Sequence, residues 1–513
     1  MFVDQLKDTL NDEFNVAVTE NGAIGYATTG EELLDMNFAV TSMRKMSEQQ
    51  IEDRFAKVFY EDKIHALKWM FYARDIRGGL GERRLFRICM KYLAENHQQN
   101  VKSLIPLVAE YGRWDDILCL LNTDLQRDVT ETIKKQLDID IANMRAKKPI
   151  SLLAKWLPSA GASSAEKKYQ AELIADAIGM SIKGYRKTLS ELRAYLRIVE
   201  RYMSQNRWSE IEYSAVPSRA NIFYNSVFLK HDEERRRRYL ESLQRGETKI
   251  NSSTCFPHDI VSMYTKNGVD PYRSKQLTED ITLEEMWKSL PDYVNGAENT
   301  ICVSDGSGSM TKLVGNSKTV TALDVANALS IYFSERSSGE FKNKYITFSR
   351  SPQLVDLSTG KSLKEKIEIA RRYNEISNTN IEAVFNLILT TAVKGHMRQE
   401  EIPHNILILS DMEFDECAVR TGERLFQQIA GKYARHGYNL PRLVFWNICS
   451  RTMTIPVKQN ELGVALVSGF SPSVANMVLS SKLDPLECLL EQLNSERYKP
   501  VEDAVRSVIS LRK

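Results

Sequence analysis

Ile301-Cys302-Val303-Ser304-Asp305-Gly306-Ser307-Gly308-Ser309-Met310 decides how this chain is read. An apolar run leads into Asp305. Two hydroxyls follow at alternate positions, Ser307 and Ser309, with glycines between them that let the backbone turn tightly. A helix-like segment comes next. Strand, oxygen-rich loop and helix in that order are how a hard metal ion is held at the mouth of an α/β sheet.

Downstream of this stretch, apolar runs alternate with helical patterns. Strands are predicted over 300–304, 341–348, 353–357, 405–410, 442–449 and 464–467; helices are predicted over 319–335, 361–373, 381–394, 421–436, 472–479 and from near 500. Such alternation implies βα units and a mainly parallel sheet, with ligands bound beyond the carboxyl ends of its strands. Two further oxygen-bearing pieces fall on that edge. Ser377-Asn378-Thr379-Asn380 opens the helix 381–394, and Asp411 directly follows the strand 405–410.

The chemistry fits magnesium, or another divalent cation of similar hardness. Magnesium prefers octahedral oxygen coordination, keeps several waters and needs only one or two carboxylates. Ser307, Ser309 and Thr379 would supply neutral hydroxyls, while Asp305 and Asp411 would hold the ion, in part through water. With few anionic ligands the ion stays electrophilic and takes a carboxylate or phosphate oxygen at an open position. The competing reading is that these Ser and Asp side chains only cap helix N-termini. Met412-Glu413-Phe414-Asp415 also sets extra acids beside Asp411, which bear on metal affinity and on any anionic ligand.

Asp305-Gly306-Ser307-Gly308-Ser309 resembles the D-x-S-x-S motif of von Willebrand factor A domains, and Thr379 and Asp411 match the second and third pieces of their metal-ion-dependent adhesion site. The resemblance implies a Rossmann-like α/β domain over residues 296–513. It also implies a cation that takes an acidic residue offered by a protein partner.

Upstream the pattern is helical from about Ser42 to about Asp280, in segments of roughly 12 to 20 residues separated by short polar or Gly/Pro breaks. Helices are predicted over 63–74, 83–96, 114–121, 231–244 and 283–290, the last closed by Pro291 and the turn Asn295-Gly296. The clearest stripe is Leu189, Leu192, Leu196, Val199 and Met203, read as one helix that also carries Arg193, Arg197 and Arg201 as a basic row. Many helices joined by short loops suggest a helical-repeat array over residues 1–295, without a strict period, suited to large partners.

Four pieces of this half carry a resemblance. They are the basic glycine-rich loop Arg74-Asp75-Ile76-Arg77-Gly78-Gly79-Leu80-Gly81-Glu82-Arg83-Arg84, the turn Tyr111-Gly112-Arg113-Trp114-Asp115-Asp116, the segment 151–159, and the run 187–221 ending in Ala215-Val216-Pro217-Ser218-Arg219-Ala220. Together they resemble the TROVE module of Ro-type RNA-binding proteins, and more closely a bacterial and viral group with the same two-part design. The resemblance implies a multidomain ribonucleoprotein: a ring of HEAT-like helical repeats binding noncoding or misfolded RNA, followed by the von Willebrand A domain.

On that reading Arg77, Lys155, Arg193, Arg197, Arg201, Arg207 and Arg219 contact RNA phosphates, with stacking from Trp156 or Trp208. Each has a plainer alternative. The glycine-rich loop also reads as a helix C-cap with its arginines paired to Asp75 and Glu82, the arginine row as a solvated face, and both tryptophans as core anchors. The run Arg235-Arg236-Arg237-Arg238 follows Asp232-Glu233-Glu234, so local i,i+4 pairing competes with RNA contact.

Composition sets the outer limits. A chain of 513 residues is too long for one ordinary core. Its 42% hydrophobic and 27% charged residues are globular, and a net charge of +2 neither favours nor excludes nucleic acid. Seven cysteines without a CxxC suggest reduced core thiols rather than disulfides or zinc. With no signal-peptide pattern and no apolar run near the ~20 residues that span a bilayer, a cytoplasmic protein without membrane partners is expected. The seven histidines form no ligand spacing and no nucleophile–base pair is visible, so a metal-dependent hydrolase is disfavoured. The main alternative to an RNA-binding protein is a metal-dependent protein-interaction scaffold that binds no RNA. The sequence carries no signal for oligomeric state.

Overall fold

The computed structural model describes residues 14–265, 276–297, 299–315, 317–348, 351–375, 380–414, 425–456, 463–474 and 484–510. The chain forms two compact units: Met1–Ser47 with Ser252–Leu493, and Glu48–Asn251 with Asn494–Lys513. One is an α/β unit and the other is built of helices, which is the multidomain fold class expected.

In the α/β unit a short hairpin, β1 (Ala17–Val18) and β2 (Ile24–Gly25), precedes a six-stranded sheet of β3 (Thr300–Asp305), β4 (Lys344–Phe348), β5 (Gln353–Asp356), β6 (Asn405–Ser410), β7 (Arg442–Asn447) and β8 (Val464–Ser468). The order across the sheet is β5-β4-β3-β6-β7-β8. All neighbours pair parallel except the edge pair β4–β5. The central strands are covered on both faces, which is why they read as unbroken apolar runs rather than alternating ones. At the edge, β5 alternates between buried and exposed positions.

Taken in chain order the six strands stand 3-2-1-4-5-6, the doubly wound order. Its switch point falls between β3 and β6, where successive connections leave in opposite directions. The register pairs Ser304 with Leu409, so the next residues, Asp305 and Ser410, end side by side at the carboxyl edge.

The units do not divide the chain at residue 295. The helices Pro257–Thr265 and Ile281–Lys288 fit the upstream helical pattern but pack within the α/β unit. Thr265 Oγ1 donates to Asp324 Oδ1 at 2.8 Å, and Trp287 Nε1 donates to Glu335 Oε2 at 2.7 Å. Buried Glu284 accepts from the backbone N–H groups of Leu363 and Lys364 at 2.7 and 3.0 Å. Residues 14–47 belong here too: Thr41 Oγ1 donates to Asn447 Oδ1 at 3.1 Å, and Asn447 Nδ2 donates to the Phe38 carbonyl at 2.8 Å.

The helical unit contains no strand among its described residues. The helices Glu48–Glu61, Lys63–Arg74 and Arg83–Asn96 close a core of Phe55, Val58, Trp69, Met70, Phe71 and Phe86. The C-terminal helix Lys499–Ser510 joins this unit, where Lys68 Nζ meets Glu502 Oε2 at 2.7 Å. The helix expected to run through residues 189–203 ends at Tyr195. Arg197 takes a left-handed φ of 49°, and a separate helix, Val199–Ser204, follows. The apolar stripe continues across the break, which is why the periodicity reads as one helix. The six described cysteines are free. Among the described residues no helix is long and apolar enough to cross a membrane.

Candidate metal centre and basic residues

β3 delivers Asp305 fully buried to the carboxyl edge. Its Oδ1 accepts from the Ser307 N–H at 2.9 Å and its Oδ2 from Ser410 Oγ at 2.8 Å. Ser307 Oγ and Ser309 Oγ lie 2.9 Å apart. A β-carbon at Gly306 would stand 3.6 Å from Asn374 Cα and 3.7 Å from Glu375 N, so the chain just before the second polar loop lies against the first. Thr379 itself, with Ser377 and Asn378, falls outside the described residues. Beyond it, Asn380 Oδ1 caps the helix Ile381–Lys394 by accepting from Ala383 N–H at 2.9 Å.

Asp411 is buried at the end of β6, and its Oδ1 accepts from the Glu413 N–H at 3.3 Å. Its pKa is pushed up to about 8, first by burial and then by the negative charge of Asp305. A hydrogen bond from Ser309 and the Glu413 N–H pull the other way. Asp305, Ser309 and Asp411 therefore converge, and Ser307 joins them through Ser309. The opposing cation is Arg451, whose Nη2 lies 3.4 Å from Asp411 Oδ2 and also pairs with Glu20.

Two buried carboxylates repelling one another among hydroxyls form a hard-oxygen set that suits a small divalent cation. Among the described residues no group of three or more His, Cys, Asp or Glu side chains is placed to hold a metal, so any ion here depends on the hydroxyls and on water. The helix-capping alternative does not match this geometry. Ser307 precedes the short 3-10 turn Gly308–Thr311 and makes no capping bond to it. The following α-helix, Ala322–Arg336, is capped by Thr321.

Glu413 is not a further ligand. It is fully buried and accepts from the N–H groups of Glu20, Arg451 and Thr452 at 2.8, 2.8 and 3.0 Å. The acid beside Asp411 thus ties the β1–β2 turn and the residues after β7 to the site. Asp415 lies outside the described residues. Met412, between the two acids, has a left-handed φ of 64°, a conformation that concentrates at functional turns.

Ser410 and Arg451 escaped the sequence reading. Ser410 had a weak signal, as the last strand residue before Asp411. Arg451 had none, because only the fold brings residues 450–455 to Asp411.

The basic residues fall into different environments. Arg193 is turned inward: its Nε, Nη1 and Nη2 donate to Ala154 O at 2.8 Å, Ser159 Oγ at 2.7 Å and Leu157 O at 2.8 Å. With the helix broken at Arg197, the row Arg193, Arg197, Arg201 does not share one face. Arg197 is exposed, while Arg201 Nη1 donates to Ser190 O at 2.7 Å. Arg207 forms a two-pronged pair with Glu210. Arg219 and Arg77 are exposed, and Lys155 Nζ sits 5.6 Å from the Trp156 ring centre.

Asp75 pairs with Arg497 rather than with an arginine of its own loop, and a β-carbon at Gly79 would fall 1.9 Å from the Tyr72 carbonyl oxygen. Arg237 and Arg238 pair at i,i+4 with Glu233 and Glu234. Arg236 is fully buried against Asn221 and Asn225. Trp208 stacks on His231 at 4.5 Å between ring centres.

The near-zero total charge conceals a partition. The helical unit holds 41 of the 69 Lys and Arg residues and 31 of the 67 Asp and Glu residues, a net +10 that leaves −8 on the α/β unit.

Family models cover nearly all of this chain. One, described as Domain of unknown function (DUF2828), matches residues 19–139 and 125–297, more than half of the chain. Another, described as Domain of unknown function (DUF7788), matches residues 299–507. The chain is 29% identical over 533 residues to Uncharacterized protein L728 of Acanthamoeba polyphaga mimivirus, covering 95% of this chain and 89% of that one. Among solved structures it is similar to the Deinococcus radiodurans RO (RSR) protein, with a TM-score of 0.40 and 12% identity over 88% of this chain and 93% of that one.

Proposed function

The chain belongs to the family described as Domain of unknown function (DUF2828), and we propose that it is an RNA-binding scaffold with a divalent-cation docking site on its α/β unit. The charge partition carries the RNA half of the reading. A net +10 on the helical unit attracts polyanions, and the TROVE-like sequence pieces lie in that same unit. Exposed Arg77, Arg197 and Arg219 are the members of the expected set best placed for phosphate contact. Arg193 serves the fold instead.

The docking half rests on the convergence of Asp305, Ser307, Ser309 and Asp411 at the sheet's switch point. These residues, completed by Thr379 as in a von Willebrand A domain, would hold magnesium, which supplies an electrophilic position for an acidic oxygen of a partner. We read the site as one for binding, since its carboxylates and hydroxyls are arranged as oxygen ligands for an ion.

The test is to purify the full chain, sequence any nucleic acid that accompanies it, and titrate single-stranded RNA at low and moderate salt. Binding that weakens steeply with salt supports the reading. RNA-free protein without affinity at low salt overturns the RNA half. Magnesium-dependent partner capture that persists in such a protein, and is lost on Asp305→Ala, leaves the scaffold alone.

A further inference from the structure

Four arginines of the helical unit converge on two neighbouring aspartates. Buried Asp116 accepts from Arg74 Nε at 2.8 Å, Arg83 Nε at 2.9 Å, Arg87 Nε at 2.8 Å and the Arg113 backbone N–H at 3.0 Å. Asp115 accepts from Arg113 Nε and Nη2, both at 3.0 Å, and from Arg83 Nη2. Arg87 Nη2 lies 3.5 Å from Asp115 Oδ2 and donates to the Asp115 carbonyl at 2.6 Å. Four guanidinium groups thus face two carboxylates, which leaves two positive charges unmatched within the cluster.

The excess faces outward. Arg74 is buried, but the side chains of Arg83, Arg87 and Arg113 are 37%, 30% and 33% exposed. Each of the three turns its Nε–Nη2 edge inward, so planarity points Nη1 away from the aspartates. Among the described residues these three Nη1 atoms have no hydrogen-bond partner. The Nη2 atoms of all three meet at one oxygen, Asp115 Oδ2, which keeps the guanidinium groups within a few ångströms of each other.

The frame is rigid. Arg113 lies 3.9 Å over the Trp156 ring, which fixes its plane. A β-carbon at Gly112 would stand 2.7 Å from Asp116 Oδ2 and 2.9 Å from Arg74 Nε, so only glycine admits the buried pair. The Arg113 pKa is held below its usual value, first by burial, with the charge of Arg83 acting in the same direction.

We propose that Arg83, Arg87 and Arg113 form a cradle for a phosphate-ester oxyanion, and that its occupant is a backbone phosphate of single-stranded RNA. Outward N–H groups from three planar forks suit an oxyanion with several acceptor oxygens. The identity of the strand rests on the RNA reading above; the anion site itself does not.

The test is arginine-selective labelling of the full chain with phenylglyoxal, read by peptide mass spectrometry, alone, with inorganic phosphate and with a single-stranded RNA oligomer. RNA is expected to slow modification of Arg83, Arg87 and Arg113 about tenfold or more, while exposed Arg127 reacts unchanged. Equal modification with and without both ligands overturns the cradle. Protection by phosphate but not RNA overturns the strand as occupant and leaves the anion site.

The double variant Arg83→Gln, Arg87→Gln is expected to bind RNA about 10- to 100-fold more weakly, with a shallower salt dependence. Its magnesium response should be unchanged. Unaltered RNA affinity in this variant, folded by circular dichroism, overturns the proposal. If the variant does not fold, the labelling decides.

Discussion

Replacing Asp411 by Asn separates the electrostatic cost of the site from its use. In the folded chain the Asp411 carboxyl is pushed up to about 8 from its ordinary value of 3.8, by burial and by the charge of Asp305. Because the folded pKa is raised, stability from the protonated form is fully present below about pH 4 and is lost as pH rises through 8. Fully ionising the carboxyl therefore removes at most roughly 6 kcal/mol, a ceiling set by the size of the shift. Asn keeps the shape without the charge.

In chelator, Asp411→Asn is expected to unfold at a higher temperature than the parent at pH 8.5 and at about the same temperature at pH 4.5. A divalent cation reverses the ranking by binding only the parent. Below pH 8 the ion must displace a proton, so its affinity should fall about tenfold per pH unit between 7.5 and 6 and level off above 8.5. Titration calorimetry in buffers of different ionisation enthalpy should show nearly one proton released per ion at pH 7. A variant less stable than the parent at pH 8.5 in chelator, or a parent whose magnesium affinity ignores pH, refutes the reasoning.

Glu413→Gln leaves four part-buried donors facing a neutral amide and should cost about 2–4 kcal/mol by chemical denaturation, greater than any direct effect on metal affinity. Gly112→Ala forces a β-carbon against Asp116 and Arg74 and should destabilise the helical unit by about 1–3 kcal/mol, seen as a lower melting temperature. Arg193→Glu breaks three hydrogen bonds to residues 154–159 and should lower stability, whereas Arg197→Glu should leave the melting curve in place and weaken RNA binding in a filter assay.

The sheet was legible because its middle strands are buried on both faces and so stand out as apolar runs ending in polar loops. Three helices also begin and end where periodicity puts them, and two have visible caps: Lys63–Arg74 after Asp62, and Ile381–Lys394 after Asn380. Asp305, Ser307, Ser309 and Asp411 were legible together because a parallel sheet gathers strand ends on one edge. What failed was whatever depends on one torsion or on distant packing. A single left-handed residue, Arg197, splits a stripe that periodicity carries straight through. Arg451, the β1–β2 hairpin and the helices before β3 carry no local mark of the unit they join, since an apolar helix face does not name its partner. The arginines around Asp115 and Asp116 come from three separate stretches, so their imbalance of charge appears only once they are folded together.

The two proposed binding sites would answer to different physics, because the units carry opposite net charge. The α/β unit, at −8, draws divalent cations toward its site and repels a polyanion such as RNA. A single carboxylate from a partner would be tolerated there, because contact with a bound ion is short-range while the opposing field is screened over about 8 Å at physiological salt. On the proposed reading the helical unit, at +10, would hold RNA through many weak phosphate contacts whose strength falls with each rise in salt. Raising salt to about 0.5 M should therefore strip RNA from the helical unit while magnesium-dependent capture at Asp305 and Asp411 persists. Chelator should do the reverse.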